Sequence, residues 1–362
     1  MTMNNRYCVI MGGGVGSRFW PYSRKKLPKQ FIDFLGTGRT LLQMSFDRVK
    51  DIVPRSNIIV VTNENYREIV KEQLPELDDE QILLEPARRN TAPCIAWAAF
   101  HIQAINPDAT IMVSPSDHLI FNEELFRKEI VNGYKFVESH DALLTLGIKP
   151  NRPETGYGYI QVGEKSDVDG ILQVKTFTEK PNIDIARIFV ESGEFFWNSG
   201  IFLWSAKSII KALHDYAPDV YCKFEAGAGT FGTSEESAFI NSTFAECPNI
   251  SIDFAVMEKA PNVFVSCVNF GWNDLGTWGV LYEYSPKSKE GNVTQNCNAM
   301  LYNCNNNMIA VKKNGKLIVA SGLKDYIIAD ADDVLLICPQ NEEQRIKQFV
   351  NDVKSSFGDK YQ

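Results

Sequence analysis

The sequence predicts an α/β fold on a mostly parallel sheet with helices on both faces, followed by a small β-rich tail. Two observations predict it. The first half alternates short β-rich runs with helix-length amphipathic segments. After Gly291 the chain changes character, and asparagine-rich sequence leads into closely spaced strand candidates. In order, "YCVIM" (Tyr7–Met11), "NIIVVTN" (Asn57–Asn63), "QILLEP" (Gln81–Pro86) and "TIMVSPSD" (Thr110–Asp117) read as strands. Between them Leu41–Val49, Asn65–Leu74 and Thr91–Ile105 carry apolar residues at three-to-four spacing, as helices do. Asn90 or Thr91 suits the cap of the last, with Pro93 in its first turn. From Asp141 to Asn273 the pattern is mixed. Strands are expected at Ala142–Ile148, Tyr157–Gly163 and Phe195–Trp204, and a helix at Ser205–Tyr216, as insertions on the same sheet. The tail offers short strands at "MIAVKK", "KLIVASG", "YIIAD" and "VLLICP", then a helix from Glu342 to Ser355. The boundary is placed at 288, giving domains 1–287 and 288–362.

Composition limits the function. The 362 residues are 44% hydrophobic and 23% charged, enough for a substantial core. A formal charge of −8 argues against general binding of nucleic acid or anionic membrane, so any anion site must be local. Eight cysteines at irregular spacing, with no Cys-x-x-Cys, read as reduced thiols and favour the cytoplasm. No apolar run approaches the roughly 20 residues of a membrane span, and Tyr7–Met11 is too short for a signal-peptide core.

A local anion site has an obvious candidate in "VIMGGGVGSRFWPYSRKKLPKQF" (Val9–Phe31), which holds Gly12, Gly13, Gly14, Gly16 and Ser17 among five cations. A glycine turn after a strand lets backbone N–H groups approach an anion. No Gly-Lys-Ser/Thr follows, so it is not a Walker loop. Ser17 or Phe19 stands where a dinucleotide fingerprint needs its third glycine. Arg18 offers a planar fork for phosphate oxygens, and Lys29, between Pro28 and Gln30, a compact charge. Arg24, Lys25 and Lys26 read equally well as a solvated loop.

Other residues stay open on chemistry alone. Asp117 in "SPSDH" ends a strand, where open α/β sheets place ligands, but it also reads as a helix N-cap, as does Ser116. Asp274 in "GWNDLG" reads as a turn aspartate before Gly276. Glu179 can accept from two neighbouring sugar hydroxyls, Lys180 can hold a phosphate, and Asn198 can donate and accept. Gly156 and Gly158, flanking Tyr157, let backbone approach a ring. An exposed turn before Pro181 is the other reading of Glu179 and Lys180. Trp197, Trp204 and His101 read as core, and His118 as structural.

The glycine loop, then "EPARRNTAPCIA", "SPSDHLI", "TGYGYI", "FTEKP", "FFWNSGIF" and "NFGWNDLGTW", closely resemble in content and order the sugar-phosphate nucleotidylyltransferases, in particular the mannose-1-phosphate guanylyltransferases. The resemblance implies a Rossmann-like sheet of the nucleotide-diphospho-sugar transferase type with a β-helix-like tail. It implies transfer of GMP from GTP to mannose 1-phosphate, giving GDP-mannose and pyrophosphate. In that reaction a phosphate oxygen attacks the α-phosphorus in line, so no covalent enzyme intermediate and no general base is needed. The resemblance gives Arg18 to the leaving pyrophosphate, Lys29 to the reacting phosphates, and Asp117 with Asp274 to a divalent cation, for which Mg²⁺ suits two carboxylates plus phosphate oxygens. Arg18, Lys29, Asp117 and Lys180 form the expected catalytic set, and the glycines with Ser17 hold the nucleotide. Glu85 is the expected reader of guanine, whose N1–H and amine form a donor pair, with Asn90 and Thr91 reaching base or ribose. A surface glutamate at 85 and a plain cap at 90 are the alternatives.

Two other functions stand beside this one. A transferase for glucose 1-phosphate with dTTP or UTP shares the loop and metal parts. A non-catalytic regulatory homologue is opposed by the intact set Arg18, Lys29, Asp117, Lys180 and Asp274. Long bacterial relatives add a mannose-6-phosphate isomerase domain; about seventy residues follow the boundary here, so that activity is expected to be absent. A homodimer is left open as the assembly.

Overall fold

Arg6–Gly12 forms β1, and the chain returns to lay β2 (Ile58–Asn63), β3 (Ile82–Glu85) and β4 (Thr110–Pro115) in one parallel block with it. The computed structural model describes residues 3–313 and 315–362. These four strands are buried nearly throughout, which explains their continuous apolar runs. After the two-residue β5 (Leu119–Ile120) come β6 (Leu143–Ile148), β7 (Tyr159–Lys165), β8 (Ile171–Thr178), β9 (Phe195–Ser205) and β10 (Val263–Val268). Nine strands make one sheet in the order β3-β2-β1-β4-β9-β6-β10-β8-β7.

That sheet is mixed. β9 runs antiparallel to both β4 and β6, and β8 runs antiparallel to β10 and β7. The expected parallel character holds among β1 to β4 and for the β6–β10 pair. β7 and β8 are antiparallel because the connection between them is too short for the crossover a parallel pair requires. The patterning had not marked β8 or β10 as strands.

The described residues form ten α-helices: α1 (Leu41–Val49), α2 (Arg67–Gln73), α3 (Thr91–Ile105), α4 (Glu123–Ser139), α5 (Ile183–Ser192), α6 (Ala206–Tyr216), α7 (Pro218–Glu225), α8 (Glu236–Thr243), α9 (Trp278–Tyr284) and α10 (Ile346–Phe357). α3 is apolar on nearly every side and packs with α6 and α7, its Trp97 and Phe100 joining Trp204, Phe224 and Phe244 in one core. α4 packs against β4 and β9, and its Tyr134 hydroxyl donates to the Tyr7 carbonyl at 2.7 Å.

The chain divides into two units. The first holds the residues up to Gly13, Ser45–Ser116 and Ile120–Trp272; the second holds Gly14–Met44, Asp117–Leu119 and Asn273–Gln362. The boundary read at 288 therefore falls inside the second unit. The physical cause is aromatic: Phe19, Trp20, Tyr22 and Phe34 share a core with Trp278, Leu336 and Ile346. Phe19 lies 4.4 Å from Phe34 and 5.3 Å from Trp278, ring centre to ring centre. Sequence reading assigned these rings no role, yet they bind residues 14–44 to the C-terminal third.

Past β11 (Trp272–Asn273), the second unit contains β12 (Val293–Gln295), β13 (Cys297–Tyr302), β14 (Met308–Val311), β15 (Lys316–Ser321), β16 (Tyr326–Ala331) and β17 (Val334–Pro339). β12, β14 and β16 form one parallel ladder, β13 and β15 another, and β17 turns back against β16. The asparagine-rich composition now has a cause. Asn296, Asn303 and Asn306 adopt positive φ, which asparagine tolerates better than most residues. Asn307 is fully buried: its amide donates to Asn292 Oδ1 at 2.8 Å and the Leu323 carbonyl at 2.9 Å, and its Oδ1 accepts from Tyr326 N at 3.0 Å.

Asn307→Ala strands these partners in the interior. The variant is expected to lose about 2–4 kcal/mol of stability, since each orphaned buried group costs about 1–3 kcal/mol. Urea unfolding followed by tyrosine and tryptophan fluorescence checks it, and an unchanged midpoint would refute the stapling role.

Candidate active site

In the second unit the glycine loop closes around one buried cation. Gly16 holds φ at +72°, and a Cβ there would stand 2.5 Å from the Lys29 Cβ. Glycine is required on both counts. The Val15 carbonyl accepts from the Lys29 amide at 3.1 Å and from the Ser23 hydroxyl. Lys29 is only 5% exposed, and its Nζ donates to Asp117 Oδ2 at 2.9 Å and to the Asp274 carbonyl at 2.6 Å. A buried ammonium requires such partners. Burial works against a charged Asp117, but the Lys29 ammonium and then His118, 3.8 Å away, outweigh it and hold the carboxyl below its usual range. Asp117 is therefore ionised at neutral pH. Its side chain remains 31% exposed.

The rest of the loop is arranged around this centre. Arg18, on the short turn Ser17–Phe19, has its Nε buried without a hydrogen-bond partner. Gly13 and Gly14 are exposed, with open space where side chains would be. Of the cations for which a solvated loop was one of two readings, Arg24 pairs with Asp333 at 2.7 Å, and Lys25, which is exposed, pairs with Asp359 at 3.0 Å.

The first unit gathers the residues expected to read a sugar. A Cβ on Gly158 would lie 2.6 Å from Glu179 Oε2 and 3.4 Å from the Asn198 Cβ, so glycine lets those side chains close in. The Gly158 carbonyl accepts from Asn198 N at 2.8 Å. Lys180, mostly exposed and at φ +48°, pairs with the nearly buried Glu179. Tyr157 meets Trp197 edge-on at 5.1 Å. Gly156 N donates to Glu154 Oε1 at 3.1 Å.

Sequence reading missed two members of this group. Asp253 Oδ1 accepts from Asn198 Nδ2 at 2.9 Å, and burial, reinforced by the Glu179 charge, pushes its carboxyl up to about 7. The available signal was a lone acid inside the apolar run "SIDFAVM". Glu258, also unremarked, accepts from Glu179 N at 3.1 Å.

Glu85 ends β3 in the same unit and is buried, so it is not a surface residue. Its Oε1 has no hydrogen-bond partner. Burial pushes its carboxyl up to about 7, against the opposing pull of the Cys94 thiol and Arg88. Asn90 caps α3 by accepting from Thr91 N at 2.9 Å, and the Thr91 hydroxyl accepts from Ile252 N at 2.8 Å. Both oxygens thus have internal uses, and Thr91 positions the backbone next to Asp253. The Gly12 carbonyl accepts from the Thr62 hydroxyl at 2.7 Å.

His101 lies in the core, its Nδ1 2.8 Å from Glu236. A cavity of about 650 Å³ beside that pair is lined by none of the loop, metal, sugar or base candidates.

Residues 7–291 match the family model described as Nucleotidyl transferase. The mannose-1-phosphate guanylyltransferase of Escherichia coli strain K12 is 38% identical, the match covering 98% of this chain and 75% of that one. The enzyme of the same description from Salmonella montevideo is 38% identical over 96% of this chain and 73% of its own. A solved Thermus thermophilus structure, described as a mannose-1-phosphate geranyltransferase, aligns with a TM-score of 0.86 at 26% identity, over 97% of this chain and 99% of that one. With the family model spanning most of its length and relatives this similar, the chain belongs to the nucleotidyl transferase family.

Proposed function

We propose that this enzyme transfers GMP from GTP to mannose 1-phosphate, giving GDP-mannose and pyrophosphate. The observation that carries the reading is the buried Lys29 ammonium, fixed by Asp117 and the Asp274 carbonyl under a glycine loop that leaves Arg18 without a partner at Nε. The names of the 38%-identical relatives supply the substrates. The parallel block β1 to β4 supports a Rossmann-like nucleotide end, and the stacked parallel ladders support a β-helix-like tail. Eight free cysteines support the cytoplasm, and no helix of the described residues is long and apolar enough to cross a membrane.

The mechanism follows from charge. An oxygen of the sugar phosphate attacks the α-phosphorus, the bond to the bridging oxygen breaks, and its electron pair leaves with pyrophosphate. The nucleophile is already ionised, so the protein's task is to align two polyanions and stabilise the charge growing on the leaving group. Lys29 serves the reacting phosphates and Arg18 the leaving pyrophosphate. The glycine-loop amides and Ser17 cradle the nucleotide. Lys180 holds the sugar's phosphate, and Glu179, Asn198 and the Gly156–Gly158 backbone read its hydroxyls. The donor set fits a divalent cation: Asp117 is ionised and partly open, and Asp274 adds a carboxylate. Mg²⁺ bound there would neutralise phosphate charge.

A pyrophosphate-release assay over four nucleotides and several sugar 1-phosphates tests the assignment. GTP with mannose 1-phosphate is the expected pair, and preference for dTTP or UTP with glucose 1-phosphate would overturn it. In that assay Lys29→Ala and Arg18→Ala are expected to lower kcat/KM by roughly two to four powers of ten while the fold survives. Near-normal turnover in a folded variant removes that residue from the site.

Chelator is expected to abolish activity and Mg²⁺ to restore it, with Asp117→Asn and Asp274→Asn each shifting the Mg²⁺ requirement upward. Full activity in chelator would end the metal reading.

Glu85 gives a test with two readouts. Its carboxyl titrates at about 7 when folded, against an ordinary 4.5, so the folded state favours the protonated form. Stability is therefore lost as pH rises from about 4.5 through 7. Glu85→Gln removes that loss: the variant is expected to be more stable than wild type at pH 8, by up to about 3 kcal/mol, and equal to it near pH 4. Its preference for GTP over ATP, UTP and dTTP should fall by roughly ten- to a hundred-fold, because one acceptor for the guanine donor pair is gone. Unchanged GTP preference would show that the base is read elsewhere.

A further inference from the structure

The second unit holds a cation that no sequence motif singled out. α10 packs against the Ser17–Phe19 turn, with Phe349, Val350 and Val353 lying against the core that contains Phe19 and Trp20. The contact is pinned beyond the helix, where Trp20 Nε1 donates to the Tyr361 carbonyl at 2.8 Å. Lys347 stands on the first turn of α10 and is exposed. That turn contains no acid, although a helix N-terminus favours one.

The surroundings of Lys347 are unusual for a surface lysine. Glu343 lies four residues earlier, the favourable order for an ion pair. Glu343 instead accepts from Gly279 N at 2.7 Å at the start of α9, and the Arg18 charge reaches its half-buried carboxyl without forming an ion pair. The charge that acts most on Lys347 is Arg18, whose guanidinium holds the ammonium below its ordinary value. Neither Arg18 nor Lys347 makes a side-chain hydrogen bond or ion pair among the described residues, and Arg18 Nε is buried without a partner. Two like charges held beside a packed element, facing one acid that is already engaged by the Gly279 amide and forms no ion pair with either, leave a position that a polyanion would fill.

We propose that Lys347 is a second cationic ligand of the leaving pyrophosphate, opposite Arg18, supplied by the C-terminal helix. The inference rests on the reading that Arg18 faces that pyrophosphate. It adds a group from α10, beyond the glycine-loop motif, to the stabilisation of the departing charge.

The test measures Mg-pyrophosphate binding by calorimetry and the reverse reaction, pyrophosphorolysis of GDP-mannose, in wild type, Lys347→Gln, Lys347→Arg and the same-helix control Lys354→Gln. Lys347→Gln is expected to raise the pyrophosphate Kd and KM about ten-fold, as for the loss of one charge-assisted contact. The KM for GDP-mannose and the thermal midpoint should stay unchanged. Lys347→Arg should stay near wild type, and so should Lys354→Gln. Unchanged pyrophosphate affinity in Lys347→Gln, with normal wild-type transfer, overturns the inference and leaves the functional reading standing. Weakened pyrophosphate binding in a protein that forms no nucleotide sugar overturns that reading and keeps the anion site. A wild type that binds no pyrophosphate overturns both, and an equal loss in Lys347→Arg and Lys347→Gln refutes a charge-based role.

Discussion

A buried ammonium must be enclosed by acceptors, or the fold would favour its neutral form. Lys29 meets that demand with one carboxylate and one backbone carbonyl, and these come from distant parts of the chain. The demand dictates the loop. Gly16 must lack a side chain and take a left-handed conformation to pass Lys29, and the Val15 carbonyl is fixed by Ser23 and by Lys29's own amide. Aromatic packing around Phe19, Phe34 and Trp278 then keeps the Lys29 loop and the Asp274 segment within one core. The loop's conformation hangs on the placement of that charge, and the proposed metal and anion roles rest on it.

The carboxyls divide into two populations. Asp117, beside Lys29 and His118, is held ionised, whereas Glu85 and Asp253 are buried where charge is disfavoured and titrate near neutrality. Separating acids by environment is how one fold assigns them different work. An ionised Asp117 suits a cation. Glu85, with an acceptor unpaired, suits a ligand that brings its own donors. Keeping such groups buried opposes folding, and the loss is tolerated where binding repays it.

Much of this was legible in the sequence. α1 and α3 were read at their full extents because their apolar spacing is long and regular, β1 as a short apolar run before the glycine turn, and β2 to β4 because each buried strand ends in polar or proline residues. The central region was harder to read. β8 mixes buried, half-buried and exposed residues around a central lysine, and one of its two partners, β10, lies far along the chain, so local pattern gave neither its identity nor its direction. Among site residues, Gly16 and Lys29 announced themselves by type and spacing. Asp253 did not, because a lone acid in an apolar run has no pattern until Asn198 is brought beside it. Lys347 was equally silent: its setting depends on Glu343 turning toward α9, which only three-dimensional packing decides.

The hydrogen bond from Trp20 to Tyr361 joins positions 341 residues apart. During synthesis the glycine loop emerges early and Phe34 soon after, yet Trp278, Leu336 and Ile346, which share its core, are made far later. For most of translation Phe19, Trp20 and Tyr22 lack the surroundings that bury them, the kind of apolar surface that invites aggregation and chaperone capture. Such long-range closure is also slow, because loop entropy must be lost before the contact forms. The loop that carries Arg18 and Lys29 thus gains its full packing only after the Trp278 and α10 segments have been made.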